Sequence, residues 1–313
     1  MASIAYITDK NMIEYHRING NKIINFWRPS NTKKISNFNK GDYLFFLAKG
    51  TEKGKEKEKG IVGYGKLSKS YALTFDQMWD RYGKQNGYAN KESLLEAIQK
   101  ISKTDHIAEY LSCFILEECT YFQGPIYLSE VGMHISNKLE SYLYLDKDNL
   151  FTTSKILELA NGVGQDMWAL LCGDQDDHDM LLDAKLSIIQ NMYDRCNGDD
   201  YTTHDLRMLY KYASSIVRSN PTYQFIPNCK SEFIKIDQNK IVIYLVSIVN
   251  TLEFDKKIQS LLGKYCIYSS IINESSFKDE LSVCLLFNQP ISDNYKKVLH
   301  TLHIPYEERL VID

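Results

Sequence analysis

The run Asp174-Gln175-Asp176-Asp177-His178-Asp179, followed by Asp183-Ala184-Lys185, holds the side chains best suited to hydrolytic chemistry. Clustered carboxylates hold a divalent ion, and a lysine two residues beyond a carboxylate on a strand steadies an attacking water. On that reading Asp177, Asp183 and Lys185 are the candidate catalytic residues of a metal-dependent endonuclease, with Mg2+ as cofactor. The surrounding pattern favours another outcome. Leu181, Leu182, Leu186, Ile189 and Met192 recur with a helical period. An acidic run just before them suits a helix N-terminus. A D-x-K on a helix is not the arrangement this chemistry asks for, so the preferred expectation is a chain without a cofactor.

Other motifs are thinner. His300 and His303 could share a metal, but no third ligand accompanies them, and a helix end is the simpler reading. The remaining histidines, His16, His106, His134, His178 and His204, are scattered. Neither a phosphate-binding G-x-x-x-x-G-K-[ST] loop nor a G-x-S-x-G elbow is present. The seven cysteines form no C-x-x-C pair, which reads as reduced thiols in a reducing compartment.

The elements that must position these residues follow from pattern. Lys22–Trp27, Tyr43–Ala48, Ile61–Leu67 and Ser112–Glu117 read as strands, separated by turn signals such as Asn39-Lys40-Gly41-Asp42. Lys49–Gly60 is a charged, low-complexity loop, solvated because its lysines alternate with glutamates. Thr74 and Asn90 or Lys91 mark the starts of two helices. Leu150–Ser219 reads as helical. The last stretch predicts a strand at Ile241–Val249, a helix at Phe254–Leu262 stopped by Gly263, strands at Cys266–Ile272 and Leu281–Phe287, a helix at Asp293–Leu302 and a strand at Arg309–Ile312. That β-α-β-β-α-β order suggests a ferredoxin-like sandwich.

Charge is uneven. Residues 1–103 hold 19 lysines and arginines against 10 acidic residues, and the remainder holds 18 against 30. A basic first third suits a polyanion partner. With no apolar run of membrane-spanning length and no signal-peptide pattern, the expectation is a cytoplasmic protein with no membrane contact.

Three ordered stretches carry a resemblance: Phe26-Trp27-Arg28-Pro29 with Gly41-Asp42-Tyr43-Leu44-Phe45-Phe46, then Ile61-Val62-Gly63-Tyr64-Gly65, then Trp79-Asp80-Arg81-Tyr82-Gly83-Lys84-Gln85-Asn86-Gly87. Together they resemble the N-terminal domain of HNH restriction endonucleases, which is similar to the PUA/EVE-like small barrels that read modified bases. The resemblance spans about residues 15–145. The histidine and asparagine motifs of an HNH nuclease are missing.

The resemblance implies a DNA-binding specificity component of a bacterial restriction or antiphage system, recognising a modified or flipped base in duplex DNA and working with a nuclease partner or as a homodimer. A base taken out of the stack needs aromatic faces and a few polar edge contacts. Trp27, Tyr64, Trp79 and Tyr82 are candidate faces, and Asn37, Asp42 and Asn86 candidate edge contacts. Arg28, Lys33, Lys34, Lys66, Lys69, Arg81 and Lys84 are candidate phosphate contacts. Trp79 shares a helix face with Phe75 and Met78, which favours a core position. Gly63 and Gly65 mark either the close approach of a ligand or close packing. An RNA-binding PUA-like module is a further alternative.

The expected fold is α+β: a PUA/EVE-like small β-barrel with helices at 1–148, a helical linker or dimerisation region at 149–222, and a small α/β, ferredoxin-like domain at 223–313.

Overall fold

The apolar stretches around Tyr43 and Ile61 grow into two of the three long strands that organise the first half of the chain. The computed structural model describes residues 3–29, 35–54, 57–136, 139, 141–173, 178–196, 202–249, 251 and 253–310. The chain divides into two units, Met1–Ala184 and Lys185–Asp313. Both are mixed α and β, each with its own sheet. The helical region expected at 149–222 is not a body of its own, because its helices fall in both units.

The first unit begins β1 (Ile4–Thr8), α1 (Lys10–Ile18), β2 (Ile24–Arg28), β3 (Tyr43–Lys53), β4 (Glu58–Leu73), α2 (Phe75–Tyr82) and α3 (Lys91–Ser102). It continues through β5 (Leu111–Tyr127), β6 (Tyr142–Tyr144), α4 (Thr152–Val163), α5 (Met167–Cys172) and the start of α6 (Met180–Cys196). Thr74 opens α2 with a reciprocal cap: its hydroxyl accepts from the Gln77 amide, and the Gln77 side chain accepts from the Thr74 amide. Asn90 caps α3 by accepting from the Ser93 amide at 2.8 Å.

The six strands lie in the order β2-β5-β4-β3-β1-β6. Among the described residues the β1–β3 pair is parallel and the other pairs of this sheet are antiparallel. The outer strands β2 and β6 do not pair with each other among the described residues, so the expected small barrel is instead a sheet with two edges. Register shifts near Gly63, Lys66 and Lys69 bend β4 along β5. A Cβ on Gly63 would lie 2.4 Å from the Thr120 carbonyl oxygen, and one on Gly65 2.7 Å from Cys119 Sγ. Both are therefore packing glycines that let β5 come close. The charged loop is shorter than expected, since β3 runs out to Lys53 and β4 starts at Glu58.

The second unit holds the rest of α6, then α7 (Thr203–Ser219), β7 (Tyr223–Phe225), β8 (Phe233–Asp237), β9 (Lys240–Ser247), α8 (Phe254–Glu274), β10 (Leu281–Phe287), α9 (Asp293–Thr301) and β11 (Tyr306–Glu308). Its sheet runs β11-β10-β9-β8-β7. β7, β8 and β9 form an antiparallel meander, while β9, β10 and β11 are parallel. This is not a ferredoxin-like sandwich. Cys266–Ile272, expected as a strand, belongs to α8, which passes through Gly263 without a break. A mid-helix glycine costs only about 1 kcal/mol relative to alanine. The packing of α8 on β9 and β10 outweighs it. The final strand is Tyr306–Glu308 rather than Arg309–Ile312, whose last two residues lie outside the described ones.

Candidate nucleic-acid interface

In the first unit, the ends of β2, β4 and β5 line up so that alternate residues share a face. Arg28 stands opposite Ser112, which stands opposite Ala72; one step along, Phe114 stands opposite Ser70. Ile35 and Phe38, from the segment between β2 and β3, complete a cavity of about 280 Å3. Phe38 meets Phe114 edge to face at 5.7 Å. The Arg28 guanidinium is buried, lies 6.0 Å from the Phe114 ring centre, and donates through Nε to the Tyr6 hydroxyl at 3.0 Å. Tyr71 also lines the cavity, and its ring carries the Arg81 guanidinium at 4.4 Å.

The volume is just below the usual range of ligand cavities, roughly 300 to 1,000 Å3, so the cavity suits a small ring system. Its lining offers aromatic and guanidinium planes for stacking, and two serine hydroxyls and an arginine for an edge. No carboxylate is among the lining residues described. The cavity therefore favours an edge rich in acceptors over one rich in donors.

None of the seven residues expected to contact a base is among those lining this cavity. Trp27 is buried and donates through Nε1 to the Asn86 carbonyl at 3.0 Å. Asn86 is fully buried, accepting from Asn25 at 2.7 Å and donating to the Gly83 carbonyl at 2.7 Å. Asp42 is buried and accepts from the Asn39 amide at 2.7 Å. Trp79 and Tyr82 pack half-buried against the core. Asn37 is exposed in a left-handed turn, φ 56°. Among the phosphate candidates, Arg28 lines the cavity and Lys69, Arg81 and Lys84 are exposed. Lys33, Lys34 and Asp177 lie outside the described residues. Phe38, Ser70, Tyr71, Ser112 and Phe114 are cavity residues that sequence reasoning missed. The alternation Ser112–Phe114 on β5 was their one visible signal.

Tyr64 and Lys66 belong to a second, buried polar cluster. Asp183, 1% exposed, accepts from Lys66 Nζ at 2.6 Å, from the Tyr64 hydroxyl at 2.6 Å and from His178 Nε2 at 2.8 Å. Lys66 also reaches Glu118 at 2.5 Å, and the Tyr43 hydroxyl donates to the Asp183 carbonyl at 3.3 Å. Burial works to raise the Asp183 pKa, but the His178 hydrogen bond and the Lys66 charge outweigh it and hold the carboxyl below its ordinary value. Burial likewise opposes the charge on Lys66, yet Asp183 and Glu118 push its pKa up. Burial raises both tyrosines well above the usual phenol value.

Glu118, His178 and Asp183 are close enough to share a cation. The Lys66 ammonium already lies between the two carboxylates, which does not fit a bound metal ion. Lys185 sits two residues from Asp183 on α6, about 200° around a helix at 3.6 residues per turn. It is buried elsewhere, pairing with Glu280 at 2.5 Å and donating to the Asn239 carbonyl at 2.9 Å. Asp183 and Lys185 thus have separate partners and do not form the D-x-K pair of a nuclease.

No helix among the described residues is long and apolar enough to cross a membrane. No family model and no curated protein matches the sequence. Among solved structures, an ASCH protein from Zymomonas mobilis is similar at 13% identity and TM-score 0.35, covering 50% of this chain and 95% of that one. A single-residue variant of it aligns at 14% identity and TM-score 0.35, covering 51% of this chain and 99% of that one. A likeness at this level carries no function across.

Proposed function

We propose that the first unit is a nucleic-acid-binding module that takes one unstacked base into the cavity of Arg28, Phe38 and Phe114, with single-stranded RNA as its first ligand. The observation that carries this reading is the cavity itself: one ring in size, walled by phenylalanine and a buried guanidinium, and bordered by hydroxyl donors. Aromatic and arginine planes hold splayed bases while polar groups read their edges. Exposed Lys69, Arg81 and Lys84 supply charge for the backbone. A single strand presents such a base without the cost of unpairing, which duplex DNA must meet by flipping.

Binding of labelled oligonucleotides at fixed salt tests this. The set comprises single-stranded RNA, single-stranded DNA, and duplexes carrying cytosine, methylcytosine or hydroxymethylcytosine. Tightest binding to single-stranded RNA is the expected result. Preference for a modified duplex would replace RNA with a flipped DNA base and support a role in restriction or antiphage specificity. Failure to bind any strand would overturn the nucleic-acid reading.

A further inference from the structure

A row of planar side chains leads away from the cavity of the first unit. The Arg28 guanidinium, part of the cavity wall, lies 6.0 Å from the Phe114 ring centre and 5.7 Å from that of Tyr6. Tyr6 on β1 is the direct cross-strand partner of Tyr142 on β6. Their rings stack at 5.8 Å with 14° between the planes. Tyr144, two residues further along β6, shares the face of Tyr142 and meets it edge to face at 5.6 Å. All three tyrosines are half-buried. The row is fixed to the cavity at a second point. The Tyr144 hydroxyl donates to the Ser36 carbonyl at 2.8 Å and lies 3.0 Å from the Ser36 hydroxyl. Ser36 belongs to the segment that brings Ile35 and Phe38 to the cavity.

A cavity below the usual ligand range encloses too little of a nucleotide to bind it tightly by itself. A strand with one base in the cavity also carries the next base within one nucleotide of it, and an aromatic face holds that base in place of water. We propose that Tyr142 is a second stacking subsite, taking the base next to the one in the cavity, so that the ligand is a single strand of at least two nucleotides. This inference rests on the reading of the cavity as a base site. Tyr6 backs the Tyr142 ring, and Tyr144 fixes β6 against the cavity wall. Paired aromatics on a sheet face are a recurrent way of holding two or three successive bases. Stacking of this kind tolerates any base, because every base has a π-face. The second position therefore adds affinity with little selectivity, and the polar groups of the cavity do the reading at the first.

Calorimetric titration of the full chain at fixed salt tests it. The ligands are UMP, the dinucleotide UpU, and two UpU analogues in which one or the other uracil is replaced by an abasic ribose. The analogues keep the phosphodiester and leave a single base for two subsites. UpU is expected to bind about fivefold or more tighter than either analogue, the contribution of one stacked base. Tyr142→Ala should lower the ratio of UpU to UMP affinity by about the same factor. Tyr142→Phe keeps the ring and should retain the ratio, with thermal midpoints showing that both variants are folded. UpU bound no tighter than its abasic analogues, or a ratio unaltered in folded Tyr142→Ala, would overturn the subsite while UMP binding left the cavity reading in place. Failure of UMP and UpU alike to bind at millimolar concentration would remove the cavity reading and the subsite with it.

Discussion

The Lys66 ammonium lies 2.6 Å from the Asp183 carboxylate, tying the first turn of α6 to β4 within the first unit. Both groups are largely buried, so each depends on the other to remain charged. Asp183→Ala would leave the ammonium with only the exposed Glu118 and would strip the Tyr64 hydroxyl of its acceptor. Breaking such a pair costs about 3–5 kcal/mol. The double change Lys66→Met with Asp183→Leu should recover part of that loss, because it removes both charges. Urea denaturation of the two variants measures the difference. A double variant no more stable than Asp183→Ala would show that the wider cluster, and not the pair, holds α6.

Phe38 and Trp27 should separate binding from folding. Phe38 is half-buried at the cavity. Its replacement by alanine removes a stacking face worth about 1–3 kcal/mol per base, a loss of roughly fivefold or more in RNA affinity. Trp27→Phe instead removes the hydrogen bond to the Asn86 carbonyl in the core, costing about 1–2 kcal/mol of stability. RNA affinity should then stay unchanged. Paired measurement of Kd and denaturation midpoint distinguishes the two, and the reverse pattern would move the base site to Trp27.

Gly63→Ala and Gly263→Ala should act in opposite directions. The new methyl at position 63 would press on the Thr120 carbonyl across the β4–β5 pair, and overpacking of this kind costs about 1–3 kcal/mol. Position 263 has nothing within 4 Å of the new methyl and lies inside α8, so alanine there should stabilise by up to about 1 kcal/mol. Thermal midpoints of the two variants decide both signs.

Helix caps and long apolar strands were legible in the sequence because their causes are local. Thr74 and Asn90 are caps for the reasons their residue types give, and the YLFFLA run lies in a strand. The site was far less legible. Trp27 and Tyr64 have the chemistry of base contacts, but strand register turns both inward, and register depends on pairing partners distant in sequence. Phe38 and Phe114, brought together from positions 76 residues apart, have no shared local signal. The error at α8 has the same origin: a local glycine stop was outweighed by packing against strands that enter the chain before and after it.

His16 supplies the last test, on pH. It is fully buried on α1, with Nδ1 3.0 Å from the Asn21 side-chain amide, and burial lowers its pKa to about 3. The unfolded chain takes up a proton near pH 6.5 while the folded one does not, so the folded state loses stability as pH falls below 6.5, until about pH 3. The slope approaches 1.4 kcal/mol per pH unit. Asp183 acts lower on the scale. Its depressed pKa contributes stability above the ordinary aspartate value, and that stability is lost only as pH falls through the folded value. Replacing His16 with phenylalanine should therefore flatten the stability profile between pH 6.5 and 4 and leave the steeper loss below it. Urea midpoints across that range check the sign; an unaltered slope in the folded variant would assign the acid sensitivity to other groups.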